Sequence, residues 1–339
     1  MRTDDFDYQL PPDLIAQEPA AERSHSRLMV VNRAERTISH DRFDRIGDYL
    51  RPGDLLVANR TRVIPARLAA RRETGGHVEL LLLKDRGSHV WEAMARPSRK
   101  LSTGQTLSIA GAPVQAQLVA SLGEGQWLVC FSGDGDIGSA LRQAGALPLP
   151  PYITNPNAPV DRYQTVYADR DGSVAAPTAG LHFTPELLDS LRARGIGVEF
   201  VTLHVGPGTF KPVTAERVEE HRMHAEWGDV PAEVADAVNR TREGGGRTIA
   251  VGTTSTRLLE TARDGARAVQ FQGDTDRFIY PGYRFGVVDG LVTNFHLPRS
   301  TLLMLVSALA GRDLIRHAYD EAVRCRYRFY SFGDAMLIL

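Results

Sequence analysis

The sequence predicts an α/β fold: a mainly parallel sheet covered by helices, built from both ends of the chain, with a small β-rich module inserted between them. Three observations predict it. After residue 160, strand-like apolar runs alternate with helix patterns, and alternating β and α elements argue for a largely parallel sheet with helices against it. Between about 61 and 135, short β-like runs are separated by Gly and Ser turns, the texture of a small barrel or sandwich. Pro148-Leu149-Pro150-Pro151 then forms a stiff connector. At ~150 residues per domain, a chain of 339 residues divides into about two. The expected division is a discontinuous α/β domain, 1–60 with 151–339, and an inserted domain, 61–150.

The elements follow in order. Leu28 to Val31 and Leu55 to Ala58 are apolar runs of strand length. In the insert, His77 to Lys84, His89 to Ala95, Gln105 to Ile109, Val114 to Ser121 and Gln126 to Phe131 read as strands. Val114-Gln115-Ala116-Gln117-Leu118 alternates with period two, as a half-buried strand does. A short helix, Asp136 to Ala144, stops at Gly145. Thr184-Pro185-Glu186 starts another, with a capping hydroxyl before a proline at the first helical position. Val198 to Val205 is a strand, and Pro231 opens a helix that ends before Gly244-Gly245-Gly246. The strand Thr248 to Val251 leads to a helix at Thr254 or Ser255; the strand Leu291 to Phe295 leads to a helix from Ser300. A last helix, roughly Asp313 to Arg324, precedes a strand or hairpin that runs to Leu339.

Bulk properties exclude several classes. The formal net charge is −1 and 24% of residues are charged, so a strongly basic nucleic-acid protein is excluded while a local basic patch is not. Cys130 and Cys325 are far apart and form no CxxC pair, which argues against a disulfide framework and for a reducing, cytoplasmic setting. Met1 to Leu14 is acidic and lacks an apolar stretch, so no signal peptide is expected. The longest apolar run, Thr301 to Ala310, is half the ~20 residues that cross a bilayer. No heptad or long exposed apolar strip is visible, and a monomer is expected.

In open α/β sheets ligands bind beyond the carboxyl ends of the strands, and four such junctions carry polar chemistry. They are Ala176 to Phe183, Thr202 to Phe210, Val251 to Arg257 and Thr293 to Thr301. A structural loop has little use for a histidine, yet His182, His204 and His296 occupy three of the four. One alone reads as a satisfied, half-buried side chain; three on one sheet edge favour a site. At the remaining junction, backbone N–H groups of a helix start, the hydroxyls of Thr253, Thr254 and Ser255, and the Arg257 fork could hold a carboxylate or phosphate. A well-capped helix is the equal alternative. No GxGxxG or GxxxxGK[ST] loop is present, which weakens nicotinamide and P-loop readings. His221 and His224 would share one face of a helix, but no further ligand cluster accompanies them, and no metal is expected. If the segment 324–330 is extended, Arg324, Arg326 and Arg328 share one face, suited to a phosphate backbone or to a solvated edge. Arg60, Arg62, Arg67, Arg71 and Arg72 form a second basic run, and Arg96, Arg99 and Lys100 a third.

The residues then become specific. Asp5-Phe6, Glu22-Arg23-Ser24, Asn59 to Leu68, Pro148 to Ile153, Tyr163 to Tyr167, Ala175 to Phe183 and Val201 to Phe210 occur in order. They are followed by His221 and His224, Ala250 to Ser255 with Arg257, Phe278 to Gly282, Leu291 to Pro298, Ser300 to Leu302, and Tyr327 to Phe329 with Gly333 to Met336. Over essentially its whole length the chain resembles the S-adenosylmethionine:tRNA ribosyltransferase-isomerase family of queuosine biosynthesis. The resemblance implies an α/β domain with an inserted small β-barrel of six-stranded type. It implies transfer and isomerisation of the ribosyl part of S-adenosylmethionine onto 7-aminomethyl-7-deazaguanine at the tRNA wobble position. The products would be epoxyqueuosine-tRNA, adenine and methionine.

With that chemistry, His182, His204 and His296 are the pool for proton transfer. Thr253, Thr254, Ser255 and Arg257 are candidates for the methionine carboxylate. Tyr280, Tyr283 or Phe210 could face the sulfonium by cation–π attraction, with a place in the core as the equal alternative. Asn59, Arg62 and Arg67, at the expected domain junction, are candidates for contact with the tRNA or the donor, and Arg326 and Arg328 for contact with the tRNA. The donor carries its own reactive cation, so neither metal nor nicotinamide is required. Three rivals stand beside this reading: a non-catalytic RNA-binding protein, a methyltransferase that uses the same donor, and a metallohydrolase built on His221 and His224.

Overall fold

The computed structural model describes residues 1–155, 159–206 and 213–339. The chain forms two compact units. One comprises Met1–Thr61, Pro151–Arg170 and Ala176–Leu339; the other comprises Arg62–Pro150 and Asp171–Ala175.

The larger unit is built on a nine-stranded sheet. Its spatial order is Phe271–Thr275, Glu226–Val230, Gly197–Leu203, Leu55–Asn59, Thr248–Val251, Gly290–Asn294, Ala335–Ile338, Arg27–Asn32 and Thr37–Arg42. The four middle strands, from Gly197–Leu203 to Gly290–Asn294, are mutually parallel. The outer pairings are antiparallel, except that Arg27–Asn32 runs parallel to Ala335–Ile338. Parallel strands are stable when both faces are covered. Leu55–Asn59, Thr248–Val251, Gly290–Asn294 and Ala335–Ile338 are accordingly buried at every residue. One face carries Leu28, Leu56, Ile249, Val292 and Leu337 against Leu187, Leu188 and Leu191 of the helix Pro185–Ala193. Ala335–Ile338 bridges Gly290–Asn294 and Arg27–Asn32, pairing Ile338 with Leu291 and Ala335 with Leu28.

Helix starts follow the capping chemistry. Thr184 Oγ1 accepts the Leu187 N–H at 3.2 Å, and Ser300 Oγ accepts that of Leu303 at 3.1 Å. These caps open the helices Pro185–Ala193 and Thr301–Ala310. Among the described residues, no helix is long and apolar enough to cross a membrane.

The smaller unit is a closed six-stranded antiparallel barrel, in the order Gln126–Gly133, Val90–Arg96, His77–Asp85, Arg67–Arg72, Thr106–Ile109 and Val114–Gly123. Val114, Ala116 and Leu118 point inward while Gln115 and Gln117 are exposed. They meet Leu68, Leu80, Trp127, Val129 and Phe131 in its core. The helix Ile137–Ala144 adds Ile137 and Leu141 to that core, and Asp136 caps it. Gly145 ends it where a Cβ would lie 1.9 Å from the Pro65 carbonyl oxygen, so the close backbone approach admits no side chain.

Two local expectations are corrected. Residues 324–330 are not an extended arginine row. Arg324 is the last residue of the helix Arg312–Arg324, and Arg326 turns at φ 54. The amphipathic pattern of the helix carries on through Arg324, so the chain leaves it by a turn. Nor do His221 and His224 share a helix face, because the short turn Val218–Glu220 ends at His221 in extended geometry.

Candidate active site

The carboxyl ends of two neighbouring parallel strands open onto a cleft. Thr248–Val251 ends at Gly252, whose φ of 93 lies in the left-handed region that favours glycine. Its N–H donates to Val292 O at 2.8 Å, tying this turn to the adjacent strand. The helix Thr253–Thr261 begins at once, with no side-chain cap on its first turn. Its leading N–H groups lack intrahelical acceptors, and the helix dipole places partial positive charge there. Gly290–Asn294 delivers Thr293 and Asn294, then His296. Thr178, Ser300, Tyr152, Tyr330 and Ser331 complete the walls of a cleft of about 700 Å³. Among the described residues, no Asp, Glu, Lys or Arg lines it. Its described lining therefore offers hydroxyls, an amide, aromatic faces and one imidazole, and no formal charge.

That imidazole is His296. It is buried, with Nε2 2.7 Å from Thr293 Oγ1, and its backbone N–H donates to Tyr319 Oη at 2.9 Å. Burial pushes its pKa down to about 3, so the ring is neutral at neutral pH. His182 stands behind the cleft. Its Nδ1 lies 2.7 Å from Ser26 Oγ, and its Nε2 lies 3.2 Å from the Asn294 amide nitrogen. Thr178 Oγ1 donates to Asn294 Oδ1 at 2.9 Å, which fixes the amide so that its NH₂ faces the ring. Nε2 is then the acceptor, and Nδ1 carries the proton toward Ser26. Burial, with the charges of Arg328 and Arg23, holds this ring's pKa down to about 3 as well. His204 does not line the cleft, although Val205 beside it does. Its Nδ1 is 2.8 Å from Thr61 Oγ1, and its ring stacks on Trp227 at 5.1 Å.

Of the anion candidates, Thr253 and Thr254 line the cleft. Ser255 and Arg257 are corrected. Ser255 is wholly buried, and its Oγ donates back to Val251 O at 2.8 Å. Arg257 is 2% exposed and donates from Nη1 to Glu226 Oε2 at 2.6 Å and from Nε to Arg277 O. A buried guanidinium needs a carboxylate, and the one it has is internal. Asn59 is also corrected as an RNA contact. It is 0% exposed. Its side chain donates to Leu203 O and Thr254 Oγ1 and accepts from Leu203 N and Thr61 N. Asn59 thus locks the ends of two strands together and orients a cleft hydroxyl.

Tyr280 packs against Phe278 in a tilted pair with centroids 5.0 Å apart, and Tyr283 donates to Glu260 at 3.1 Å; neither is among the residues that line the cleft. Phe210 lies outside the described residues. The cleft's own aromatic wall is Tyr152 and Tyr330, with centroids 4.7 Å apart. Both tyrosines lie in segments the sequence reading quoted, Pro148 to Ile153 and 324–330, but nothing there marked them as lining. Asn294 and Thr178 belong to the same class. Arg326 pairs with Asp13 at 2.6 Å, and Arg328 pairs with Asp334 at 3.1 Å. In the barrel unit, Arg62 lies 3.5 Å from Asp171, and Arg67 donates to Leu149 O at 3.2 Å. Among the described residues one trio, His40, Glu321 and Cys325, brings three possible metal-ligand atoms within 4.8 Å of one another. None of the three lines the cleft, and Glu321 is held by Arg324 at 2.6 Å.

A model of the family described as "Queuosine biosynthesis protein" matches residues 3–338. The chain is 53% identical over 340 residues to the S-adenosylmethionine:tRNA ribosyltransferase-isomerase of Acetivibrio thermocellus, and 54% identical over 341 residues to that of Symbiobacterium thermophilum. All of each chain is covered. It is similar to the crystal structure of the S-adenosylmethionine tRNA ribosyltransferase from Thermotoga maritima, with a TM-score of 0.58 and 41% identity over 99% of this chain and 100% of that one. With a match along nearly every residue and relatives identical at more than half of their positions, the chain belongs to the queuosine biosynthesis protein family.

Proposed function

We propose that the chain transfers and isomerises the ribosyl part of S-adenosylmethionine onto 7-aminomethyl-7-deazaguanine at the wobble position of tRNA, releasing adenine and methionine and leaving epoxyqueuosine. The observation that carries this reading is a cleft whose described lining holds no formal charge and in which a neutral imidazole, His296, stands beside the uncapped start of the helix Thr253–Thr261. The relatives' names supply the reaction class.

The sulfonium of the donor acidifies the neighbouring 5′ C–H, so the protein's first duty is to take up that proton. His182, His204 and His296 are the pool, and His296 is the member that lines the cleft. Its ring is neutral and so has a lone pair to offer, while the burial that keeps it neutral also makes it a weak base. Asn294, which also lines the cleft, is held in place by its hydrogen bond with His182. Tyr152 and Tyr330 supply aromatic faces for the sulfonium. Thr253 and Thr254, with the helix N-terminus, supply donors to a developing anion on the leaving group. Arg62, Arg67, Arg326 and Arg328 serve the tRNA backbone. The protein acts as a monomer in the cytoplasm, and the chemistry uses no metal.

Purified protein incubated with S-adenosylmethionine and tRNA bearing the aminomethyl-deazaguanine base tests the reading. Free adenine with methionine, dependent on the modified tRNA, supports it. S-adenosylhomocysteine makes the protein a methyltransferase instead, and intact tRNA binding without donor consumption leaves only a binding protein.

A further inference from the structure

Next to the main cleft lies a second hollow of about 270 Å³, and Ser331 is part of the wall of both. Its lining has the opposite character. Arg23, Arg162 and Arg328 converge on it, together with Ser26, His182 and Ser331.

The three guanidiniums are not equally satisfied. Arg328 is neutralised by Asp334. Arg23 donates from Nη1 to Leu181 O at 3.2 Å, and Arg162 donates to Ala20 O and Ala21 O at 3.0 and 3.1 Å. These acceptors are neutral carbonyls. Among the described residues neither Arg23 nor Arg162 has a carboxylate within ion-pair distance, and Arg162 Nε is buried with no acceptor at all. Each guanidinium has five N–H donors in a fixed fork. One is used on Arg23 and two on Arg162, so several remain. Burial and the neighbouring charge of Arg162 both hold the Arg23 pKa below its ordinary value, while Asp161 opposes them from a distance. Two like charges are thus held together, half-buried, with most of their donors unspent. A chain gains nothing in stability from that arrangement. A bound oxyanion would relieve the repulsion and take up the spare donors in a bidentate way.

We infer that Arg23 and Arg162, backed by Arg328 and Ser331, form an oxyanion seat for a substrate group, adjoining the cleft where the ribosyl chemistry takes place. The inference rests on the function proposed above and names what that reading lacks. Among the described residues, no cation lines the main cleft to receive an anion, and Arg257 is paired with Glu226. Two substrate groups have the required chemistry: the carboxylate of the donor's methionine and a phosphodiester of the tRNA. Ser331, shared by the two hollows, sets the seat beside the reacting centre in either case.

Arg23→Gln, Arg162→Gln, the double variant and Arg162→Lys test it by two readouts. The first needs no turnover: inorganic phosphate, compared with chloride at equal ionic strength, should raise the melting temperature of the wild type, and the double variant should lose that rise. The second is steady-state adenine release. Losing hydrogen bonds to a charged partner lowers affinity by roughly 10- to 100-fold. A rise of that size in the KM for S-adenosylmethionine, with tRNA binding unmoved, supports the seat and assigns it to the carboxylate. A rise in the KM for tRNA, with the slope of log Kd against log salt reduced by about 0.7 per lost contact, supports it and assigns it to a phosphodiester. Arg162→Lys keeps the charge but loses the fork to Ala20 and Ala21, so partial recovery separates binding from folding. Unchanged KM values, with the phosphate effect retained in the double variant, overturn the inference. A wild type that releases no adenine but shows the phosphate effect defeats the functional reading and leaves the seat standing.

Discussion

Replacing His296 with glutamine removes one titrating group from a buried position, and the structure sets the size of the effect. Burial lowers the imidazole from 6.5 to about 3 in the folded chain. As pH falls, the unfolded chain therefore binds the proton first, and the stability present above 6.5 is progressively lost as the folded pKa is approached. At pH 5.0 the unfolded histidine lies 1.5 units below its midpoint, while the folded one is still neutral. At about 1.36 kcal/mol per unit, that is about 2 kcal/mol lost between pH 7.5 and 5.0. Glutamine does not titrate, so His296→Gln lacks this component whatever its constant offset. The assay is urea unfolding of both proteins at the two pH values, with unchanged m-values as the condition for comparison. The wild-type stability should fall by about 2 kcal/mol more than that of the variant. A difference that stays constant within about 0.5 kcal/mol would show that burial does not keep the ring neutral, and the neutral state given to His296 would go with it.

Three further outcomes are expected. His204→Ala should lower adenine release by ~100-fold or more while leaving tRNA binding nearly intact; retained turnover removes it from the catalytic pool. Glu226→Gln strips the charge from the partner of buried Arg257 and weakens the acceptor for the Gly206 N–H. It should cost about 3–5 kcal/mol in chemical denaturation, and a loss below about 1 kcal/mol would mean that the pair is solvated. Gly145→Ala places a methyl 1.9 Å from Pro65 O and should destabilise the chain by about 3 kcal/mol; an unchanged melting temperature would contradict the close approach.

The sequence showed most of what burial imposes on a pattern and little of what a partner imposes. In the barrel, Val114 to Leu118 alternates cleanly because one face is core. Arg67–Arg72 belongs to the same barrel, yet its outward arginines made it read as a basic run, with only Leu68 and Ala70 facing in. The outer strands Thr37–Arg42 and Phe271–Thr275 escaped notice because their residues are mostly polar or half-exposed. At the site, the junctions of Val251 and Thr293 could be found by the strand-to-helix rule, and they do line the cleft. The fates of Ser255, Arg257 and Asn59 could not be read in advance. Each is decided by a long-range acceptor or by a backbone oxygen one helical turn back, and neither leaves a mark in local composition. Arg23 and Arg162 were missed for the converse reason. They are 139 positions apart, and only the fold brings them to one hollow.

The bridging strand Ala335–Ile338 has a consequence for how the protein is made. The six barrel strands are contiguous in the chain, from Arg67 to Gly133, so the barrel can close while the ribosome is still translating the second half. The hairpin Arg27–Asn32 with Thr37–Arg42 is synthesised earlier still, but its partner in the sheet emerges last. Until residue 338 has left the exit tunnel, Leu28, Met29, Val30 and Val31 have no neighbouring strand on that side, and the apolar edge stays open. A nascent chain cut short before Ala335 would carry a finished barrel and an unfinished catalytic sheet. Such a fragment would be sticky rather than partly active, and quality control could recognise it by that exposed hairpin.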